Sequence, residues 1–471
     1  MPRRAAPDLH CSPAGLASCQ GLEQLYAAVL QERIDTVSKP LVSIVMPSLN
    51  QSMFVEAAVT SALDQDYPDL ELVVADGGSS DGTQQLLASL QARYGRRLQW
   101  FSEADTGPAN AINKALQRCR GEIVGWLNAD DLYCPDAIRN VVGFFQENPD
   151  CLMVYGEADH VDADGTMLGR YPTKPSCRDI QQFHGGCFIC QPTVFMRRSL
   201  LDTVGGLDES LCTAFDFDLW LRIYKTCADR VGYLPTRLAC SRLHDTCITR
   251  TQRRQVALEG LQVVSRHLGH ASADWLLSYV EESFAKFPFE TEFSDIREHL
   301  NELVEESARY LDAIELARLR QRLAADMRLK LAIPGVCVMV QPDGWALHDL
   351  VIRIKRLHQV PEKLWLECLH AWPVFRPITL TAVTSWGEQR TMPVEKAGLF
   401  CLEFALPDSS AGKQLEIRIQ CDDSFVPQQV VPGSSDQRQL CFLVKDVQLK
   451  RNYSIGAWLL CLKKIRSAEK K

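Results

Sequence analysis

Residues 121–131 read Gly-Glu-Ile-Val-Gly-Trp-Leu-Asn-Ala-Asp-Asp and carry the strongest fold signal in the chain. Their mostly apolar run, residues 123–127, leads without interruption into Asn128, Asp130 and Asp131. A short apolar run of this kind is typical of a strand that is buried on both faces of a sheet. Open α/β sheets hold ligands at the carboxyl ends of such strands. Because neighbouring carboxylates repel one another, the two aspartates predict a divalent cation or a polar ligand here.

The two aspartates also have a simpler interpretation. They fit the N-cap of a helix running through Ala137 and Val142, because an aspartate side chain accepts hydrogen bonds from the free N–H groups of a first helical turn. The sequence alone leaves both interpretations open.

Strand-like and helix-like segments alternate around this stretch. The predicted strands are residues 41–46, 70–75, 98–101, 123–127 and 152–155, and the predicted helices are residues 55–63, 86–94 and 109–119. This alternation favours an α/β fold with a mostly parallel sheet and right-handed crossovers.

A glycine-rich loop, residues 76–83, follows the second predicted strand. Asp76 can accept hydrogen bonds from a base or a sugar, and Gly77 lets the main chain approach a ligand closely. The loop is neither the dinucleotide fingerprint nor a Walker A loop. A strand-to-helix turn capped by Ser80 or Asp81 is the alternative.

Four segments in order resemble the family 2 glycosyltransferases of GT-A fold. They are Val-Met-Pro-Ser-Leu-Asn at 45–50, Asp-Gly-Gly-Ser-Ser-Asp-Gly-Thr at 76–83, Asp-Thr-Gly-Pro-Ala-Asn-Ala-Ile-Asn-Lys at 105–114 and Trp-Leu-Asn-Ala-Asp-Asp at 126–131. The resemblance runs from about residue 41 to about residue 244. It implies a Rossmann-like, mostly parallel sheet and an enzyme that uses a nucleotide-diphosphate sugar.

The resemblance also assigns residues to the donor side. Asp76 matches the aspartate that contacts the base, and the triplet Asn128-Ala129-Asp130 matches the D-x-D motif that holds Mg²⁺ or Mn²⁺ against the donor diphosphate. Asn128 brings no charge, so metal affinity is expected to be weaker. The metal ligands are predicted to be Asp130, Asp131 and His244. The predicted substrate-binding residues on this side are Pro47, Asn50, Asp76, Gly77, Asp105, Asn113, Lys114, Asn128 and Ala129.

The acceptor side is assigned to residues 205–222. Asp216 matches the family's catalytic base, with Asp218 as its rival, although Phe215 stands where the family has Glu. A carboxylate in this apolar segment is expected to have a raised pKa, which suits proton removal from a hydroxyl. Trp220 and Arg222 are predicted to bind substrate. The alternatives are a core tryptophan and a helical ion pair between Asp218 and Arg222.

The resemblance implies an inverting transfer of a sugar to a hydroxyl of a glycan or a lipid-linked acceptor, in synthesis of a bacterial surface polysaccharide. An alternative is a binding or scaffold protein of the same fold that lost activity, because Asn128 and Phe215 both depart from the family pattern. A nucleotidyltransferase fits the acceptor-side segment less well.

The amino-acid composition bears on which other classes of protein the chain fits. The chain has 471 residues, is 46% hydrophobic and carries a net charge of −8, so no basic surface for nucleic acid is predicted. Its 18 cysteines are scattered, which fits free thiols in a cytoplasmic protein. Cys187 and Cys190 alone have C-x-x-C spacing, for which two buried thiols are a simpler interpretation than zinc.

The remainder of the chain changes character after residue 250. Helical periodicity predicts a helical linker region, and short strands separated by turns then predict an antiparallel β-sandwich. Four tryptophans of the sandwich offer either a sugar-stacking platform or core packing. The tail carries Trp458 beside lysines, which fits at most weak peripheral contact with the inner face of a membrane. The predicted regions are 1–39 (an N-terminal extension with one helix), 40–250 (catalytic domain), 251–333 (helical linker), 334–450 (β-sandwich) and 451–471 (tail).

Overall fold

The computed structural model describes residues 39–175, 178–355, 362–407 and 414–451. The predicted N-terminal helix, and the predicted membrane contact of the tail, lie outside these residues. These described residues divide into two compact units, one that runs from residue 39 to residue 179 and includes residues 188–247, and the other of residues 180–187 together with residues 248–451. No helix within the described ranges is long and apolar enough to cross a membrane.

The first unit is built on one nine-stranded sheet. Its strands are β1 (Val42–Ser48), β2 (Leu70–Asp76), β3 (Leu98–Ser102), β4 (Ile123–Trp126), β5 (Leu132–Tyr133), β6 (Met153–Val161), β7 (Met167–Arg170), β8 (Phe195–Arg197) and β9 (Val231–Arg242). The order across the sheet is β3-β2-β1-β4-β8-β6-β9-β5. Strand β7 lies outside this order and pairs with β6.

The parallel part of this sheet is the part that the sequence predicts. β1 pairs in parallel with β2 and β4, and β2 pairs in parallel with β3. Beyond β4 the sheet becomes mixed, because β8 is antiparallel to both of its neighbours while β6 and β9 are parallel. The observed architecture is the α/β sheet of the predicted GT-A class.

Helices cover the sheet and connect its strands. In the first unit they are α1 (Val55–Leu63), α2 (Thr83–Tyr94), α3 (Pro108–Arg118), α4 (Ala137–Glu147), α5 (Arg198–Val204) and α6 (Phe215–Cys227). The core that they enclose is apolar, and every residue of β2 and β4 is buried. Burial on both faces explains why these strands read as continuous apolar runs.

The parallel register brings three strand ends to one edge of the sheet. Ser48 at the end of β1 is the partner of Asp76 at the end of β2, and Val45 is the partner of Trp126 at the end of β4. We call this edge, with the loops that follow β1, β2 and β4, the rim. The rim is therefore where the predicted site residues of three separate segments converge.

Gly125 is required by the packing of β4. A Cβ atom added at this glycine would lie 2.5 Å from Cε1 of Phe195 and 2.8 Å from Cδ1 of Ile44. We expect Gly125→Ala to lower the free energy of unfolding by roughly 1–3 kcal/mol, because two core side chains must leave their preferred positions. Chemical denaturation checks this, with Gly143→Ala as the control, since a Cβ atom there meets nothing within 4 Å. Equal effects of the two substitutions would contradict the prediction.

Asp164 and Gly165 lie in the turn of a hairpin. It joins β6 to β7, and Gly165 has a φ of +86°. The Asp162 carboxylate accepts hydrogen bonds from the N–H groups of Asp164 and Thr166. The aspartates of this segment therefore shape a turn.

The second unit begins with helices, which span most of the predicted helical region. They are α7 (Ile248–Thr251), α8 (Arg253–Leu268), α9 (Asp274–Lys286), α10 (Ile296–Ser307), α11 (Ala313–Ala325) and α12 (Met327–Leu331). Asp295, Asp312 and Asp326 each cap the helix that follows by accepting a main-chain N–H. The boundaries predicted at residues 250 and 333 stay predictions.

Two antiparallel sheets form the sandwich that the sequence predicts. The strands are β10 (Val336–Val338), β11 (Asp349–Lys355), β12 (Glu362–His370), β13 (Ile378–Thr384), β14 (Gln389–Val394), β15 (Gly398–Ala405), β16 (Gln414–Cys421) and β17 (Leu443–Arg451), with a short helix α13 (Pro427–Val430). One sheet has the order β10-β11-β16-β13-β14 and the other β15-β12-β17. Alternate residues of both sheets meet in one apolar core.

The tryptophans of the sandwich contribute mainly to packing. Trp345 and Trp372 pack against Phe425, at centroid distances of 5.3 and 5.6 Å. Trp365 alternates with the buried residues of β12 and has the Lys450 ammonium 4.1 Å from its ring centroid. Trp345, Trp372 and Trp386 all belong to the apolar core of the sandwich or pack against it, which favours the core-packing interpretation.

Candidate active site

The first two loops of the rim brace each other through Asn50. Its Oδ1 accepts a hydrogen bond from the Ser80 N–H at 2.9 Å, and its own N–H donates to the Ser79 hydroxyl at 2.7 Å. Asn50 has a φ of +52°, a conformation that asparagine tolerates better than most residues. Pro47, three residues earlier, is half-buried. Of the two predicted nucleotide contacts, Pro47 therefore lies in β1 and Asn50 lies in the braced loop that follows it.

Asp76 stabilises the glycine-rich loop by accepting hydrogen bonds from it. It is 1% exposed, and its carboxylate accepts hydrogen bonds from the Ser79 and Ser102 hydroxyls and from the N–H groups of Gly78 and Ser79. The helix-cap alternative for this loop also holds in part, because the Asp81 Oδ1 accepts the Thr83 N–H at the start of α2. Contact of Asp76 with a base stays a prediction.

The Asp105 loop lies directly against Gly77. A Cβ atom at Gly77 would approach the Asp105 Oδ2 to 2.5 Å, so a larger residue at position 77 would require the Asp105 side chain to move. The other oxygen, Oδ1, accepts the Gly107 N–H at 2.9 Å. Lys114 holds the same loop by donating to the Ala104 carbonyl at 2.9 Å. The structure thus brings these three predicted residues together.

The acidic turn, residues 128–131, follows β4. The Asp130 Oδ2 lies 3.0 Å from Nε2 of His244, whose Nδ1 lies 2.9 Å from the Thr246 hydroxyl. His244 is 5% exposed, so it is buried. Residues 130 and 244 are far apart in the chain, and their contact brings together two of the three predicted metal ligands.

This pair fits an incomplete cation site. Among the described residues, no three His, Cys, Asp or Glu side chains gather as a metal centre. Mg²⁺ is usually held by one or two carboxylates, with substrate phosphates and water completing its shell. Asp130 supplies the hard oxygen ligand and His244 an imidazole beside it. The donor set therefore suits a cation that arrives with a diphosphate.

Asp131 points away from that pair. Its carboxylate is 4% exposed and accepts the Arg242 N–H at 2.8 Å and the Asn128 side-chain N–H at 3.3 Å. Burial, followed by the nearby Asp130 charge, raises the pKa of Asp131 well above its usual range. The geometry assigns Asp131 to the interior of the turn, so its predicted role as a metal ligand has no support here.

The helix-cap interpretation of the two aspartates is wrong. Helix α4 begins at Ala137, and the residue at its N-cap position is Asp136, which has a φ of +60°. Asp130 and Asp131 lie one strand earlier, before β5. Their side chains contact β9 and the segment after it.

Asn128 acts within the turn. Its Oδ1 accepts the indole N–H of Trp126 at 2.9 Å, and its Nδ2 donates to Asp131. Ala129 is 2% exposed, so its side chain is not available to a substrate, and a contact would have to come from its main chain. The amide at position 128 therefore fits the neighbouring donor and acceptor better than a carboxylate would.

We expect Asn128→Asp to destabilise the protein at pH 8. The substitution removes the hydrogen bond to Asp131 and adds a negative charge beside it, at a cost of roughly 1–3 kcal/mol in the free energy of unfolding. Because protonation relieves the repulsion, the difference should shrink at pH 5. Denaturation of both proteins at the two pH values checks this. Greater stability of the variant at pH 8 would contradict it.

Asp216 lies in the first turn of α6. The preceding residue, Phe215, stacks on Trp126 with ring centroids 5.5 Å apart, and this contact ties the start of α6 to the end of β4. The Asp216 Oδ1 accepts the Phe217 N–H at 2.7 Å. Burial raises the pKa of Asp216 to about 6, against the opposing effect of that hydrogen bond. A carboxylate with this pKa is suited to general base catalysis at neutral pH.

Asp218 and Arg222 form the predicted helical ion pair. The Arg222 Nε donates to the Asp218 Oδ2 at 2.8 Å, and Asp218 is 2% exposed. The same guanidinium donates to the carbonyl oxygens of Val204 and Gly206 at 2.6 and 2.8 Å. Both residues therefore anchor the segment before α6, and neither has the geometry of a substrate contact.

Trp220 is a core residue. Its side chain is fully buried, with 0% exposure, so the predicted stacking on a sugar ring is wrong. Nine residues of α6 are buried, and a helix covered on most of its sides gives no pattern from which a functional aromatic can be distinguished.

Asn113 anchors the acceptor-side loop. Its Nδ2 donates to the Leu207 carbonyl and the Glu209 carboxylate at 3.0 and 2.7 Å, and its Oδ1 accepts the Leu207 N–H at 2.9 Å. A Cβ atom at Gly206 would meet this side chain at 2.7 Å. The structure therefore uses the predicted substrate-binding Asn113 to position residues 206–209.

Two residues near His244 are not predicted from the sequence. Arg242 contacts the acidic turn, and Phe54 packs between the Arg242 guanidinium, at 5.0 Å, and the His244 ring, at 4.6 Å. Arg242 precedes the histidine by two positions at the end of a strand, a spacing that places alternate side chains on one face. The two-residue spacing from His244 is therefore the sequence feature from which Arg242 could have been predicted.

Comparison with known proteins defines the class. The glycosyl transferase family 2 profile matches residues 43–205. An uncharacterized glycosyltransferase of Rickettsia typhi is 31% identical over 231 residues, which is 46% of this chain and 68% of the relative. Chondroitin synthase of Escherichia coli is 29% identical over 184 residues, 39% of this chain but 26% of that enzyme. A crystal structure of residues 1–349 of S. aureus TarS aligns with a TM-score of 0.43 at 18% identity, over 59% of this chain and 82% of that chain.

These matches, with the sheet and its rim, define the protein as a glycosyltransferase enzyme. The chain belongs to glycosyl transferase family 2, and its relatives include enzymes of polysaccharide synthesis.

Proposed function

We propose that this enzyme moves a sugar from a nucleotide-diphosphate donor to a hydroxyl of a glycan or lipid-linked acceptor, with inversion at the anomeric carbon. The observation that carries the proposal is the connection between Asp216 and the acidic turn. Phe215 stacks on Trp126, Trp126 donates to Asn128, and Asp130 of the same turn meets His244. A base and a cation site thus belong to one continuous set of contacts.

The donor is expected to lie across the rim. The paired loops at Asn50 and Ser79, with Gly77 and Asp105 beside them, present main-chain groups to the nucleotide. Asp130 and His244 would hold Mg²⁺ or Mn²⁺, which when bound stabilises the negative charge of the leaving diphosphate. Each of these roles uses a residue that the fold already fixes in place.

Asp216 is the proposed general base. It takes the proton of the acceptor hydroxyl as that oxygen forms a bond to the anomeric carbon, and the bond from that carbon to the diphosphate breaks. A single displacement of this kind inverts the configuration at the carbon. The raised pKa of Asp216 keeps the carboxylate basic enough to accept the proton.

A panel of sugar nucleotides tests the proposal. The enzyme is incubated with UDP- and GDP-linked sugars and Mn²⁺, and release of the nucleoside diphosphate is measured with and without candidate glycan acceptors. We expect slow release from one donor that an acceptor accelerates. Release from none of the donors, at an enzyme concentration that binds nucleotide, would contradict the proposal. A cytoplasmic site, with bacterial surface polysaccharide as the product, is part of the same proposal.

A second candidate is a nucleotide-sugar-binding scaffold of the same fold. It is favoured by Asn128, which replaces a charged residue, and by Phe215, which packs where the family has Glu. A scaffold would be stabilised against heat by nucleotide and Mn²⁺ but would release no nucleoside diphosphate from any donor. Turnover in the panel distinguishes the two.

A further inference from the structure

We propose that Arg242 is a positioning residue, which fixes the acidic turn so that Asp130 faces the cation and Asp131 does not. The inference rests on the proposed function, because it concerns the same cation site. Arg242 lies at the end of β9, two residues before His244, and is 7% exposed.

Arg242 contacts the two aspartates in two different ways. Its side-chain Nε donates to the Asp130 carbonyl oxygen at 2.8 Å, and its main-chain N–H donates to the Asp131 Oδ1 at 2.8 Å. The first contact, which depends on the guanidinium, holds the peptide between the two residues. The second comes from the main chain of β9, which any residue at position 242 provides, and holds the Asp131 carboxylate inward. With Asp131 turned inward, Asp130 is left to meet His244.

The rest of the guanidinium joins the acidic turn to the β6–β7 hairpin. Its Nη1 donates to the carbonyl oxygens of Asp162 and Ala163 at 3.1 and 2.6 Å, and its carbon atom lies 5.0 Å from the ring centroid of Phe54. A planar group with several fixed donors can hold three carbonyl oxygens at once, which a lysine ammonium on a flexible chain does less well.

The charge of Arg242 supports the same role. A buried guanidinium is costly unless nearby groups compensate for lost hydration. Here the compensation comes from the three carbonyl oxygens that accept its N–H groups. The buried guanidinium therefore favours the arrangement in which the acidic turn and the hairpin both present these oxygens to it.

The test compares Arg242→Gln with Arg237→Gln. Arg237 is on the same strand but pairs with Asp159 at 2.7 Å and has a side chain that is 59% exposed, so it is the matched control. Binding of Mn²⁺ is measured by electron paramagnetic resonance at saturating UDP or GDP, and nucleotide affinity is measured separately without metal. Groups that orient a metal ligand typically contribute 10–100-fold to metal affinity.

We expect Arg242→Gln to weaken Mn²⁺ binding by about 10–100-fold with metal-free nucleotide affinity unchanged, and Arg237→Gln to change neither. Arg242→Lys, which keeps the charge, should fall between the wild type and Arg242→Gln, and it carries the test if Arg242→Gln does not fold. Wild-type Mn²⁺ affinity in both Arg242 variants, or an equal loss in Arg237→Gln, would overturn the inference alone. Absence of Mn²⁺ binding by the wild-type protein with either nucleotide would overturn the proposed function as well.

Discussion

Asp216→Asn is expected to lower turnover by about 10²–10⁴-fold, because the acceptor hydroxyl loses its proton acceptor. Nucleotide binding should be unchanged, since Asn retains the Oδ1 that accepts the Phe217 N–H. Steady-state kinetics with the donor found in the panel, together with calorimetric nucleotide binding, measure both effects. Full turnover in the variant would show that Asp216 is not the base.

The pH dependence follows from the same residue. Only the ionised carboxylate accepts a proton, and burial places the pKa of Asp216 at about 6. Thus kcat/KM should rise with pH up to about 6 and level off above it. Asp218→Asn is the comparison, because Asp218 is the rival carboxylate and is already engaged by Arg222. If Asp218→Asn abolished turnover while remaining folded, the base assignment would move to Asp218.

As the pH rises, the contribution of Asp216 to the stability of the fold should fall while the activity rises. The pKa of Asp216 in the folded protein is raised above its ordinary value of 3.8, so folding favours the protonated form. The resulting stabilisation is present below pH 3.8 and is lost as the pH rises through about 6. Asp216→Asn should therefore be more stable than the wild type at pH 7.5, and thermal unfolding should show the difference disappear near pH 4.

Asp130→Asn is expected to weaken metal-dependent nucleotide binding by roughly 100-fold or more, because it removes the one charged oxygen ligand that faces His244. Calorimetry with UDP or GDP, with and without Mn²⁺, measures the loss. Without metal the two proteins should bind nucleotide alike.

Asp131→Asn is the matched control for Asp130→Asn. The Asp131 carboxylate is buried and its Oδ1, which Asn retains, accepts the Arg242 N–H, so its substitution should leave metal-dependent binding unchanged. If Asp131→Asn lost metal-dependent binding and Asp130→Asn kept it, the assignment of the two aspartates would be reversed.

The sequence predicts the rim because the patterns that indicate it lie within short stretches of the chain. Strands buried on both faces appear as continuous apolar runs, and parallel strands must end at the same edge. The sequence alone therefore predicts that the polar residues after β1, β2 and β4 lie close together. Asp216 could be singled out in the same way, since its neighbours Phe215 and Phe217 are apolar and predict burial.

What the sequence does not predict depends on distant partners. The Asp131 carboxylate is held inward by the main-chain N–H of Arg242, which lies 111 residues further along the chain. Asn113 looks like a ligand contact within its motif, but its partner Leu207 lies 94 residues away. The mixed half of the sheet arises because β8 inserts between β4 and β6, a pairing that local periodicity does not encode.

Anomalous diffraction from crystals soaked with Mn²⁺ and the nucleoside diphosphate that binds in solution tests the cation site most directly. We predict one anomalous peak beside the Asp130 carboxylate and His244, with the diphosphate against it and the nucleotide across the rim. A peak at another place in the chain, or nucleotide bound at the rim with no cation beside Asp130, would contradict the proposed site.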